Sequence, residues 1–106
     1  MITSTLFRHG LKPGAARDQI DHRLQRLERA APRVTRVDIV VDQVAHQGQA
    51  NKLYQCHISL RAAGRKTFDI YTNNGSISTA VADAFDQMFD LIRFRGLGAG
   101  QAGLAD

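Results

Sequence analysis

AARDQIDHRLQRLERAAPRVTR, residues 15–36, carries both the clearest helix of the chain and its densest positive charge. At about 100° per residue, Ala16, Ile20, Leu24, Leu27 and Ala31 fall in one narrow sector, the spacing of a helix buried along a single stripe. Asp18, Asp21, Gln25 and Glu28 occupy one flank of that stripe. Gln19, His22, Arg23, Arg26 and Arg29 occupy the other, so the helix has a basic edge. Pro13 stands ahead of it, and Pro32 ends it, because the missing N–H and the ring clash stop helix continuation. Arg33 and Arg36 extend the basic flank into the next element.

Upstream, residues 1–7 are rich in Thr and apolar side chains and stop at His9-Gly10, which predicts a short edge strand. Downstream, residues 34–44 alternate, with Thr35, Val37, Ile39 and Val41 on one face and Arg36, Asp38, Val40 and Asp42 on the other. The polar run HQGQAN (residues 46–51) connects to a second alternating segment. There Tyr54, Cys56, Ile58 and Leu60 point inward, and Gln55, His57, Ser59 and Arg61 outward. Ala62-Ala63-Gly64 reads as a hairpin turn into a third strand over residues 65–72, with Phe68 and Ile70 inward. Asn74, Ser76 and Ser78 are candidate N-caps of a final helix. Its apolar stripe is Ile77, Val81, Ala84, Phe85, Met88, Leu91 and Ile92.

The predicted order is β-α-β-β-β-α: an α+β, two-layer sandwich in which a four-stranded sheet carries both helices on one face. One domain over residues 1–95 follows from the length of 106 residues. Residues 96–106, with four glycines and no apolar periodicity, read as a flexible Gly-rich tail. No segment has the h-region of a secretory signal or the ~20 apolar residues of a membrane span, which predicts a cytoplasmic protein without membrane contact. The lone Cys56 excludes an internal disulfide and suits a reducing compartment.

The net charge of +4 is unevenly spread. Residues 1–36 hold eight Lys and Arg against three Asp and Glu, residues 37–75 four against three, and residues 76–106 two against four. A polyanion site therefore belongs mainly to the first third. Arg23, Arg26, Arg29, Arg33 and Arg36 are the primary contacts, since Arg suits bidentate phosphate recognition, with secondary contacts from Lys52, Arg61, Arg65 and Lys66. Because almost no aromatic residues interleave this set, backbone and shape recognition of structured RNA fits better than base stacking.

Catalytic chemistry has little material. His9, His22, His46, His57 and Cys56 lack the close paired spacing of a zinc site, and Cys56 and His57, adjacent in a strand, point to opposite faces. GLGAG at residues 96–100 follows a helix and precedes nothing, so it is not a phosphate loop. Asp83, Asp86 and Asp90 line one side of a helix as a solvated face rather than a general acid-base pair. The expectation is no enzyme, no catalytic or metal-binding residues, no cofactor and no small-molecule substrate.

The motifs FRHGLKPG (residues 7–14), RLQRLER (23–29), RVTRVDIVV (33–41), His46, KLY (52–54) and DAFD (83–86) come in a definite order and spacing. Over about residues 5–95 the chain thereby resembles the ribosome hibernation promoting factors and ribosome-associated translation inhibitors, also called ribosomal subunit interface proteins. The resemblance implies the same β-α-β-β-β-α fold and a stress-response role in which the protein binds the small ribosomal subunit near the messenger and transfer RNA channel and idles ribosomes without catalysis. Family members commonly carry Lys or Arg in the middle of the last helix, where this chain has Gln87, Phe89 and Asp90. The alternative is a divergent member of the fold that binds another structured RNA or a protein. A third class, a small enzyme using His57 or Cys56, rests on single residues. Oligomeric state is not set by the sequence.

Overall fold

Alternation with period two and apolar stripes with helical period resolve, in the computed structural model, into β1 (Ile2–Phe7), α1 (Gly14–Ala30), β2 (Val34–Val44), β3 (Leu53–Ala62), β4 (Phe68–Asn74) and α2 (Ile77–Phe94). The structure describes residues 1–44 and 52–98; the connection expected at residues 46–51 and the end of the expected tail lie outside them. The four strands form one sheet in the order β1-β2-β3-β4. β1 runs parallel to β2, Thr3 opposite Val37 and Phe7 opposite Val41, and α1 makes the crossover that a parallel pair requires. β2, β3 and β4 form the expected antiparallel meander. The α+β two-layer architecture is therefore as predicted.

The core lies between the sheet and the two helices. α1 contributes Ile20, Leu24 and Leu27, α2 contributes Val81, Phe85, Met88 and Ile92, and the sheet contributes Val37, Ile39, Val41, Cys56, Ile58, Leu60 and Ile70. Each such aliphatic or aromatic side chain gains about 1.5–3 kcal/mol on burial, which offsets the entropy of ordering the chain. The one buried polar side chain among the described residues, Thr72, donates its hydroxyl to the Ala80 carbonyl at 2.6 Å and so fastens β4 to α2.

Three details depart from the sequence reading. The alternation in β2 breaks at its start: Val34, not Thr35, is buried, because an irregularity between Val34 and Arg36 shifts the register. Thr35 is turned out and donates its hydroxyl to the Arg61 carbonyl at 3.2 Å. β4 begins at Phe68 rather than residue 65, and the β3–β4 connection is longer than a three-residue turn, with Gly64 at φ +71° in the left-handed region that glycine tolerates.

The third departure concerns the tail. Leu97 is only 1% exposed and belongs to the core. Gly96, at φ +70°, lets the chain reverse after α2, so that the Gly96 N–H donates to the Arg93 carbonyl at 3.3 Å and the Leu97 N–H to the Ile92 carbonyl at 2.9 Å. This is a Schellman cap with its apolar follower docked. The packed domain thus runs past the expected boundary at residue 95, because a glycine that looked like tail composition serves as a helix stop.

Candidate nucleic-acid interface

The two helices run parallel across the sheet. Gln19 of α1 donates its amide to the Ser78 carbonyl of α2 at 3.0 Å, and further along, the guanidinium carbons of Arg23 and Arg26 sit 5.9 and 5.3 Å from the ring centroids of Phe85 and Phe89. The basic edge of α1 therefore rests on aromatic residues of α2, which support the guanidinium stems. Parallel helices bring both C-termini to one end of the molecule. The same end holds the start of β2 and the β3–β4 connection, joined by the Ala63 N–H donating to the Arg33 carbonyl at 3.4 Å.

Arg29, Arg33, Arg65 and Lys66 converge at this end, together with Arg95, whose guanidinium carbon lies 5.4 Å from the Phe68 ring centroid. No ion pair neutralises Arg23, Arg26, Arg29, Arg33, Arg65 or Lys66 among the described residues. The carbonyl ends of both helices add negative partial charge beneath them, which helps hold like-charged side chains together.

The remaining predicted contacts lie elsewhere. Arg36 and Arg61 are register partners on the sheet face turned away from the helices. The Arg36 Nε donates to the Asp38 carboxylate at 2.8 Å, and the Ser4 hydroxyl donates to the same carboxylate. Hydrogen bonding to Arg36 raises that guanidinium further, and the same bond, with Ser4, holds Asp38 below the usual carboxylate range. Arg36 is thus engaged within the sheet and not part of the helix edge. Lys52 precedes β3, while Arg65 and Lys66 follow it. Ten strand residues at about 3.3 Å each separate the two ends by roughly 30 Å.

Arg95 was not among the expected contacts. Its signal was the RFR triplet at residues 93–95, which the net negative balance of the last third concealed. α2 itself presents Asp83, Asp86 and Asp90 to solvent, and Asp90 is paired with Arg93 at 2.8 Å. On the opposite sheet face, His57 contacts Asp69 at 2.8 Å and stacks on Tyr71 with centroids 4.1 Å apart. Cys56, on the core side as expected, is fully buried, and burial pushes its thiol up to about 12, away from nucleophilic thiolate character. No group of His, Cys, Asp or Glu among the described residues could hold a metal ion. No helix among them is long and apolar enough to cross a membrane.

No family model and no curated protein sequence matches the chain. Solved structures do. A ribosomal subunit interface protein from Coxiella burnetii superposes with a TM-score of 0.70 at 10% identity, over 89% of this chain and 96% of that one. The N-terminal domain of Thermus thermophilus Protein Y gives 0.66 at 20% identity, over 90% and 100%. The chain has the fold of the ribosomal subunit interface proteins. At these identities the likeness concerns the backbone, and it agrees with the fold that the short motifs implied. The ribosomal subunit interface fold sets α1 and α2 side by side here, so the arginine edge and the basic end are consequences of this chain's own side chains upon it.

Proposed function

We propose that this protein is a cytoplasmic, non-enzymatic ribosome-associated factor that binds the small ribosomal subunit through ribosomal RNA phosphates and idles ribosomes by steric occlusion. The observation that supports this most is the gathering of Arg29, Arg33, Arg65 and Lys66, which have no ion-pair partner among the described residues, with Arg95 at one end of a fold shared with ribosomal subunit interface proteins. Arg23 and Arg26 continue the surface along α1. Guanidinium groups in such an array bind phosphate oxygens bidentately and release condensed counterions, which makes affinity salt-dependent. Burial of Cys56 leaves the thiol route without an accessible nucleophile.

Sedimentation with purified small subunits through a sucrose gradient tests the proposal. With about five phosphate contacts, log K against log salt should fall with a slope of roughly −3.5 to −4.5. Arg26→Glu combined with Arg29→Glu should lower binding by about tenfold or more and flatten that slope, while Cys56→Ala and His57→Gln should leave binding nearly unchanged. Protein that stays at the top of a low-salt gradient would refute ribosome binding. The exposed Asp83, Asp86 and Asp90 on α2 favour a second reading, a divergent member that binds a protein or another RNA. If Asp83→Lys abolishes an association that the arginine variants leave intact, the acidic helix is the working surface.

A further inference from the structure

Phe94, the last residue of α2, is 85% exposed, the most open large apolar side chain among the described residues. The Arg95 guanidinium carbon lies 5.4 Å from the centroid of half-buried Phe68 and 5.9 Å from that of Phe94, so one guanidinium contacts both rings. Phe68 follows Lys66 by two residues and Arg65 by three, which places this group in the basic end of the molecule.

Resting on the RNA-binding reading above, we infer that Phe94 is a base-stacking site, taking one unpaired RNA base on its open face while Arg65, Lys66 and Arg95 meet the flanking phosphates. An apolar ring held among cations suits this ligand better than it suits a protein. Phosphates neutralise the surrounding positive charge, whereas an apolar protein surface would have to strip water from it without compensation. The contact with the Arg95 guanidinium favours the ring position that a base would meet. Every base has a π face, so the site prefers unpaired over paired RNA rather than one sequence over another.

The chain contains no tryptophan, so Phe94→Trp introduces a single reporter. Its emission should be quenched by an RNA hairpin with an unpaired loop and not by a blunt duplex of equal length, and Tyr71→Trp, on the far sheet face, should respond to neither. Phe94→Ala should weaken binding to purified small subunits on the order of tenfold with the salt slope unchanged, and Phe94→Trp should restore it. The inference falls if Phe94→Ala binds as the natural protein does while Arg26→Glu with Arg29→Glu fails, because RNA is then held by charge alone. It also falls if Phe94→Leu retains full affinity, or if the tryptophan at position 94 is shielded from acrylamide in the free protein, because another protein segment or a second copy then covers the ring. Failure of the natural protein to bind small subunits, with loop-selective quenching of Phe94→Trp intact, would reject the ribosomal partner and keep the stacking site.

Discussion

Leu97 and Cys56 are single side chains whose environment reverses a reading based on their neighbours in sequence. Leu97 sits between glycines yet is part of the core, so Leu97→Ala should destabilise the protein by about 2–5 kcal/mol, the usual range for a buried leucine. At roughly 4–8 °C per kcal/mol for a domain near this size, thermal denaturation followed by circular dichroism should show a fall of about 10 °C or more. An unchanged melting temperature would mean that the cap holds without its apolar follower. Cys56 is a pH probe of the core. Its thiol is raised from 9.0 to about 12 in the folded state, so the stability linked to it is complete below pH 9 and declines as pH rises from 9 towards 12. Urea midpoints of the natural protein and Cys56→Val should keep a constant difference between pH 6 and 8. At pH 10 the difference in unfolding free energy from the same titrations should shift by about 1.4 kcal/mol in favour of the valine variant, in which no thiolate stabilises the unfolded chain.

The two helices are secured by different means. α2 opens on Ser76, whose hydroxyl accepts the Thr79 N–H at 3.4 Å, and closes on the Gly96 and Leu97 bonds, so both ends are capped locally. α1 has no side-chain cap at Pro13 and no acidic residue in its first turn, and its stability comes from burying Ile20, Leu24 and Leu27. Ser76→Ala should therefore cost about 0.5–1.5 kcal/mol by chemical denaturation, whereas Pro13→Ala should cost less because no cap is removed there. The asymmetry bears on the interface: the arginine edge is carried by the helix that depends on tertiary packing, so its placement is inseparable from the fit of Phe85 and Phe89 beneath it.

In the whole molecule, β2 and β3 are the interior strands, paired on both sides, and Val37, Ile39, Val41, Cys56, Ile58 and Leu60 are fully buried. β1 is an edge strand with most of its residues exposed. Hydrogen exchange should be slowest in β2 and β3, with protection approaching that of global unfolding, and faster in β1 and in the β3–β4 connection. Equal protection of β1 would indicate that its free edge is covered in solution. The basic end follows from the same topology, since a β-α-β crossover and a meander that ends in a parallel second helix bring both helix C-termini, the start of β2 and the β3–β4 connection to one pole.

Element types, their order and the two-layer packing were legible in the amino-acid sequence because they depend on local periodicity: the stripe from Ala16 to Ala31 and the alternation through Val37, Ile39 and Val41 decide which faces are apolar without reference to distant residues. Five basic residues close in sequence, Arg23 to Arg36, were therefore easy to see as a charged stretch. Which of them share a surface was not, because neighbours in sequence part company when a strand turns alternate side chains to opposite faces. Strand alternation left Arg36 on the outer sheet face beside Asp38 of the same strand, while tertiary structure set Lys52 about 30 Å from Lys66 and brought Arg95 to the end of the molecule that holds Arg33 and Arg65. Charges repel or attract through space and not along the backbone, so the membership of the interface had to wait for the fold.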